Sequence, residues 1–139
     1  MRDIRSYPLL DKYREIVEKI RICAPPGLTE EWGRCRFKGG EDFRLNLGRY
    51  RVIEVAPMAT RIAVFAEWRK FLRNRELYVD DPDFSAFEDA FGYLGINENL
   101  NQPWNIYPDT DLNDSYVEVF LETGMRLIAK ELKRIHPKP

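Results

Sequence analysis

The chain has 139 residues, a formal net charge of −1 and a sequence pI of about 5.9. This length is typical of one domain, so we expect a single globular domain over residues 1–139. Hydrophobic residues make up 44% and charged residues 32% of the chain, which excludes a disordered protein. No apolar stretch is long enough to cross a bilayer, and the first residues lack the apolar core of a signal peptide, so we expect a cytoplasmic protein without membrane contact.

The composition also narrows the chemistry that the chain could perform. Its single histidine, His136, lies near the C-terminal end, which disfavours a histidine-based catalytic triad or a histidine-rich metal centre. Cys23 and Cys35 lack the spacing of metal ligands, and we expect two reduced thiols, with one disulfide as the alternative. No glycine-rich phosphate loop precedes a predicted helix. We therefore predict no catalytic residue, no metal and no cofactor.

Hydrophobic periodicity predicts the elements of the first half of the chain. Apolar residues recur at helical spacing from Leu9 to Ile20, with charged residues opposite, and Pro25 to Gly27 end this amphipathic helix. The period then becomes two, which indicates strands, and their short connections at 38–41 and at Gly48 favour an antiparallel meander. The three predicted strands are 32–37, 43–47 and 50–56.

The second half of the chain is predicted to be mainly helical. Residues 58–73 fit a helix or a strand, and we favour the helix because the segment is long and follows Pro57. Asp83 is expected to cap a short helix, and residues 95–113 to form a long loop. Ser115 and Glu118 have the spacing of a capping box, which predicts the start of a long C-terminal helix. The predicted core-facing stripe of this helix comprises Tyr116, Val119, Phe120, Leu127, Ile128, Leu132 and Ile135. The fold class is thus α+β, with an N-terminal helix, a three-stranded antiparallel meander and helices that pack on the sheet.

Charge is distributed unevenly along the chain. Residues 34–75 have a net charge of +7, whereas residues 76–122 contain twelve acidic side chains and no lysine or arginine. Local ion pairs within a helix cannot balance such a segment. Either the acidic segment lies against the basic strands, or it faces water and attracts a basic partner.

Aromatic residues accompany these acids, and tyrosine and tryptophan are frequent anchors of protein interfaces. We expect Phe87 and Phe91 to face the core, and Trp104 and Tyr107 to lie on the surface. The sequence thus favours a non-enzymatic protein-binding module, of the kind represented by immunity-like inhibitors of cationic toxins or nucleases. The predicted partner-binding residues are Tyr78, Asp80, Asp81, Asp83, Glu88, Asp89, Trp104, Tyr107, Asp109 and Asp111.

Two other functions remain as alternatives. The arginine-rich strands between residues 34 and 75 could contact the phosphates of a nucleic acid, although the acidic pI is unusual for such a protein. Asp42 and Glu54 flank a hairpin as a nuclease metal pair might, but the lysine expected two positions after Glu54 is replaced by Ala56. The aspartates at 80–83 and 109–111 are better explained by turns and helix caps than by cation binding.

Overall fold

The computed structural model describes residues 2–96 and 103–138. Within them, five strands and four helices follow one another, with short 3₁₀ turns at Ile4–Ser6 and Arg75–Leu77. In chain order the elements are α1 (Leu10–Cys23), β1 (Thr29–Arg34), β2 (Glu41–Leu47), β3 (Tyr50–Pro57), β4 (Ile62–Ala66), α2 (Trp68–Leu72), α3 (Pro82–Tyr93), β5 (Trp104–Ile106) and α4 (Ser115–Ile135).

The strands form one antiparallel sheet in the order β1-β2-β3-β4-β5. Alternation along β2 places Phe43, Leu45 and Leu47 on the inner face, which lies against the helices, and leaves Arg44 on the outer face. A bulge between β2 and β3 adds one residue to β3, so that the consecutive residues Val52 and Ile53 are both buried. The α+β class and the helices at both ends of the chain are confirmed.

The sheet has five strands rather than the three that the sequence predicted. The helix expected at 58–73 is wrong over its first half, because residues 62–66 pair with both β3 and β5. Only Trp68–Leu72 is helical in that segment. Helical spacing misled here because Ile62, Ala63 and Val64 of this inner strand are all buried, so apolar residues do not alternate with polar ones.

The ends of the later elements also differ from the prediction. Asp81, rather than Asp83, caps α3, with Pro82 in the first turn. Asp114, rather than Ser115, caps α4, because its carboxylate accepts a hydrogen bond from the Tyr116 amide. The predicted loop at 95–113 contains β5, while its residues 97–102 lie outside the described residues.

The long helix α4 is the central element of the fold. It packs against α1, α2, α3 and β3, so both of its sides and its sheet-facing stripe are covered. Val117 and Leu121 belong to the buried stripe, whereas Tyr116 and Ile135, which the sequence pattern placed on that stripe, are exposed. The stripe is wider than the predicted one because neighbouring helices flank α4.

Glu131 is a charged residue in the middle of this packed surface, with 0% of its side chain exposed. Its two carboxylate oxygens accept hydrogen bonds from the Tyr78 hydroxyl at 2.8 Å and from the Asn74 amide at 2.7 Å. Arg134, one turn further along α4, forms an ion pair with the same carboxylate. These contacts hold the pKa of Glu131 below its usual value, with the Arg134 hydrogen bond the largest cause. Glu131 thereby connects α4 to the segment between α2 and α3.

Replacing Glu131 with Gln should destabilise the fold, because the amide keeps only one acceptor oxygen and its NH2 group would face the donor of either Tyr78 or Asn74. We expect the free energy of unfolding at pH 7 to fall by about 2 kcal/mol. Glu122→Gln is the matched control, since it removes a partly exposed partner of Arg126 and should cost under about 1 kcal/mol. Urea denaturation measures both, and equal losses in the two variants would contradict the role of Glu131.

The same carboxylate predicts a pH dependence of stability. Because the folded state lowers the pKa of Glu131 below 4.5, its contribution is present above about pH 4.5 and is lost as the pH falls through the folded-state pKa. The difference in unfolding free energy between the wild type and Glu131→Gln should therefore shrink on acidification. A difference that stays constant from pH 7 to about pH 3 would contradict this assignment.

Two helical glycines provide a paired test of the packing between α3 and α4. A Cβ atom on Gly124 would lie 3.2 Å from both the Phe87 ring and the Trp68 indole nitrogen, whereas one on Gly92 would have no neighbour within 4 Å. Gly92→Ala should raise the unfolding free energy by about 0.5–1 kcal/mol through helix propensity. Gly124→Val should lower it by about 2 kcal/mol through overpacking. Thermal and urea unfolding measure both variants. An unchanged unfolding free energy in Gly124→Val would contradict the close approach of the helices.

Candidate functional site

Helices α3 and α4 run antiparallel, and their contacts differ at the two ends. At the start of α3, Asp81 and Asp83 form ion pairs with Lys130, which lies in the second half of α4. At the end of α3, the ring of Tyr93 stacks on Tyr116, with 4.1 Å between the ring centroids. The basic residues of α4 therefore lie beside the start of α3. The last turn of α3 lies beside the acidic start of α4.

Four of the described acids of the segment 76–122 have basic partners, none of which comes from the strands. Arg126 binds Asp83 and Glu122, Lys130 binds Asp81 and Asp83, and Lys19 of α1 is 3.8 Å from Glu118. Among the described residues, the acidic segment forms no ion pair with the arginines of residues 34–75. The strand arginines Arg44 and Arg51 instead pair with Glu31 and Glu54 on the outer face of the sheet.

The other described acids of this segment have no ion pair within the described residues. All except Asp114 are exposed, and Asp114 is half-buried. They extend from the 3₁₀ turn and loop before α3, along α3, and through the loop that leads into α4. We call this group the acidic face; it comprises Glu76, Asp80, Glu88, Asp89, Asp109, Asp111 and Asp114.

A surface pocket of about 460 Å³ lies at one end of the acidic face, between the end of α3, β5 and the start of α4. We call it the tyrosine pocket, because the exposed rings of Tyr93 and Tyr107 contribute to its lining. Asp111 and Asp114 are its two charged lining residues among those described, so the pocket carries two negative charges and no positive one. Other lining residues include Leu94, Trp104, Asn105, Thr110 and Val117.

Hydrogen bonds hold the loop that forms the wall of this pocket. The Tyr107 amide donates to the Thr110 hydroxyl, the Thr110 amide donates back to the Tyr107 carbonyl, and Lys12 of α1 binds the Pro108 carbonyl at 2.7 Å. Asp111 and Asp114 each use one carboxylate oxygen, Oδ1, to accept a backbone amide two residues later. Among the described residues, no hydrogen bond is formed by the second oxygen of either carboxylate.

The structure corrects the expected exposure of two predicted partner-binding residues. Tyr78 is only 7% exposed and donates its hydroxyl hydrogen bond to Glu131, so it belongs to the core. Trp104 is also 7% exposed; it lies on β5 rather than in a loop, and its ring packs edge-on against Phe120. Tyr78 was selected because it lies next to Asp80 and Asp81, and Trp104 because it lies in a predicted loop. Their burial depends instead on tertiary packing, which neither signal contains.

The remaining predicted residues have two different environments. Asp81 and Asp83 are partly buried and paired with α4, so they contribute mainly to helix packing. Asp80, Asp89, Asp109 and Asp111 are exposed, and Tyr107 is 46% exposed beside the pocket. Glu88 is exposed as well, but it lines a second, smaller pocket with Arg73 and Arg75, so its charge is partly offset there.

Sequence reasoning did not select three residues that belong to the tyrosine pocket or its edge. Tyr93, which is 62% exposed, follows Asp89 by four positions and so shares its helix face, a signal that could have identified it. Asp114 was assigned only to the acidic segment, and Tyr116 to the core stripe of the last helix. The contact between the end of α3 and the start of α4 brings these residues together, and no local pattern encodes that contact.

The alternative pair, Asp42 and Glu54, lies on the outer face of the sheet. Glu54 forms ion pairs with Arg44 at 2.6 Å and with Arg51 at 3.4 Å, so two guanidinium groups already bind one oxygen of this carboxylate, Oε2. Burial raises the pKa of Asp42 to about 6, and the negative charge of Glu54 adds to the shift. This arrangement is a charge ladder across strands rather than a pair of free metal-binding carboxylates.

Within residues 2–96 and 103–138, no group of three histidine, cysteine or carboxylate residues could hold a metal ion, and Cys23 and Cys35 are both free. No helix in the described parts of the chain is long and apolar enough to cross a membrane. No family model, curated protein or solved structure matches this chain.

Asp42 gives a prediction whose sign is opposite to that for Glu131. Because the folded state raises its pKa from 3.8 to about 6, charging Asp42 opposes folding, and stability should fall as the pH rises from about 4 to 6. Asp42→Asn should therefore raise the unfolding free energy at pH 7.5 by about 1 kcal/mol and have no effect below about pH 4. Glu41→Gln, at the exposed neighbouring carboxyl, is the control, and a stabilisation of Asp42→Asn that persists at low pH would contradict the prediction.

Proposed function

We propose that this protein is a non-enzymatic binding module that docks its acidic face on a basic protein. The observation that carries the proposal is the state of the carboxylates between residues 76 and 122. Seven of them have no ion pair within the described structure, and the four other described acids pair with basic residues of α1 and α4. The acidic face thus keeps its charge toward water and can attract a partner of opposite charge.

The position of the tyrosines supports a protein as the partner. Exposed carboxylates increase the rate of encounter, but each solvent-screened pair adds little to affinity. Affinity requires buried area, and Tyr93, Tyr107 and Tyr116 place three partly exposed rings next to the acids. The carboxylates would attract the partner, and the tyrosine rings would provide the apolar area that is buried on binding. A specific protein interface combines these two contributions.

The finer proposal is an immunity-like inhibitor that neutralises a cationic toxin or nuclease. A basic active site that binds nucleic acid presents arginine and lysine side chains, and an acidic face of this kind would occupy it in place of the phosphates. The folded scaffold suits this role because the acids lie on a helix and on a hydrogen-bonded loop, which reduces the entropy lost on binding.

A second candidate is a nucleic-acid contact at the connection between β1 and β2. Arg34, Arg36 and Lys38 are exposed there and have no ion pair within the described residues. Filter binding to single-stranded and double-stranded DNA and RNA at 50 mM salt tests this candidate, with Arg34→Gln/Arg36→Gln as the variant. Binding that the variant loses would favour nucleic acid over a protein partner.

The proposal predicts a charge-specific loss of binding. Replacing Asp80 and Asp89 with Lys reverses two exposed charges of the acidic face that have no ion pair. Affinity capture from lysate of the source cells, at 50 and 300 mM salt, should recover a basic protein with the wild type, less of it at high salt, and at least tenfold less with this variant. Mass spectrometry identifies the protein, and titration of the purified partner gives the affinity.

The matched control reverses the same amount of charge elsewhere. Glu15 on α1 and Glu41 on β2 are also exposed and without an ion pair in the described structure, so Glu15→Lys/Glu41→Lys changes the net charge equally. This variant should retain the partner within about threefold, because only long-range attraction changes. Equal loss in both variants would indicate nonspecific attraction, and capture of no protein by a folded wild type would refute the proposal.

A further inference from the structure

We infer that the tyrosine pocket receives an arginine side chain of the basic partner, an inference that rests on the proposed function. The pocket is a concavity within the acidic face, and its volume of about 460 Å³ falls in the range of sites that bind small organic groups. One long side chain can enter such a space while the surrounding face contacts the rest of the partner.

The charges of the pocket select a cation. Asp111 and Asp114 supply two carboxylates, and no lysine or arginine lies among the described lining residues. Each Oδ1 atom accepts a hydrogen bond from a backbone amide, which fixes the orientation of the carboxylate, while the second oxygen accepts none from the part of the chain that the structure describes. A cation that donates hydrogen bonds to these two oxygens would find them already positioned.

The aromatic lining favours a planar cation. Tyr93 is stacked on Tyr116, which restricts its ring, and the turn between Tyr107 and Thr110 fixes the backbone beside the Tyr107 ring. Exposed tyrosine faces attract cations through the ring quadrupole. An arginine guanidinium can stack on such a face and still donate in-plane hydrogen bonds to carboxylates, whereas a lysine ammonium is a compact, strongly hydrated point charge. The lining therefore matches arginine better than lysine.

The Asp111→Asn/Asp114→Asn variant tests the pocket directly. Asparagine retains the side-chain oxygen that accepts the backbone amide and is a good helix cap, so the loop and α4 should keep their structure while both charges are lost. The probes are the peptides Ac-GGRGG-NH₂, Ac-GGKGG-NH₂ and the citrulline analogue of the first, titrated into ¹⁵N-labelled protein and followed by amide chemical shifts.

The wild type should bind the arginine peptide with shifts confined to residues around the pocket, at least fivefold more tightly than the lysine peptide and without measurable binding of the citrulline peptide. The double variant should bind the arginine peptide at least tenfold more weakly, and Tyr93→Leu should also weaken it. Asp109→Asn is the control in the same loop, because Asp109 is exposed but does not line the pocket, and it should stay within twofold of the wild type.

Three results would overturn the inference: no shifts around the pocket, equal binding of the lysine and arginine peptides, or unchanged arginine binding in the double variant. The captured partner separates this failure from failure of the docking proposal. If Asp80→Lys/Asp89→Lys loses the partner while Asp111→Asn/Asp114→Asn binds it with unchanged affinity, the acidic face is the docking surface and the pocket does not receive an arginine.

Discussion

The packing of α4 against the sheet and the other helices is the constraint on which the rest of the structure depends. A buried carboxylate, Glu131, fixes this packing in one arrangement, because its hydrogen bonds to Tyr78 and Asn74 form only when α4 and the segment before α3 are correctly aligned. A buried charge without these partners would be strongly unfavourable. Hydrophobic burial drives the association of α4 with its neighbours, and the polar contacts select its register.

That register decides where charge is neutralised and where it remains. Lys130 directly precedes Glu131 on α4. The alignment that provides the hydrogen-bond partners of Glu131 therefore also places Lys130 beside Asp81 and Asp83. The opposite end of the antiparallel pair joins the end of α3 to the acidic start of α4, where no described lysine or arginine lines the pocket. A single packing arrangement therefore produces both a compensated end and a negatively charged end.

The acids of this protein consequently serve three distinct physical roles. Glu131 is desolvated and hydrogen-bonded, and it stabilises the fold; Asp42 is desolvated without sufficient compensation, and its raised pKa opposes folding near neutral pH. Apart from Asp114, which caps α4, the acids of the acidic face are exposed and hydrated, so they affect stability little and can act on other molecules. Only this last group is suited to recognition.

The sequence by itself determined the α+β class, the terminal helices α1 and α4 and the hairpin β2–β3, because these depend on local periodicity and on turns such as the one at Gly48. It also located the acidic segment, which is a property of composition. Only the tertiary structure decided that residues 62–66 form an inner strand, that Trp104 and Tyr78 are buried, and that Tyr93 meets Asp111 and Asp114 at one pocket. These features arise from contacts between segments distant in sequence, and periodicity contains no information about which segments meet.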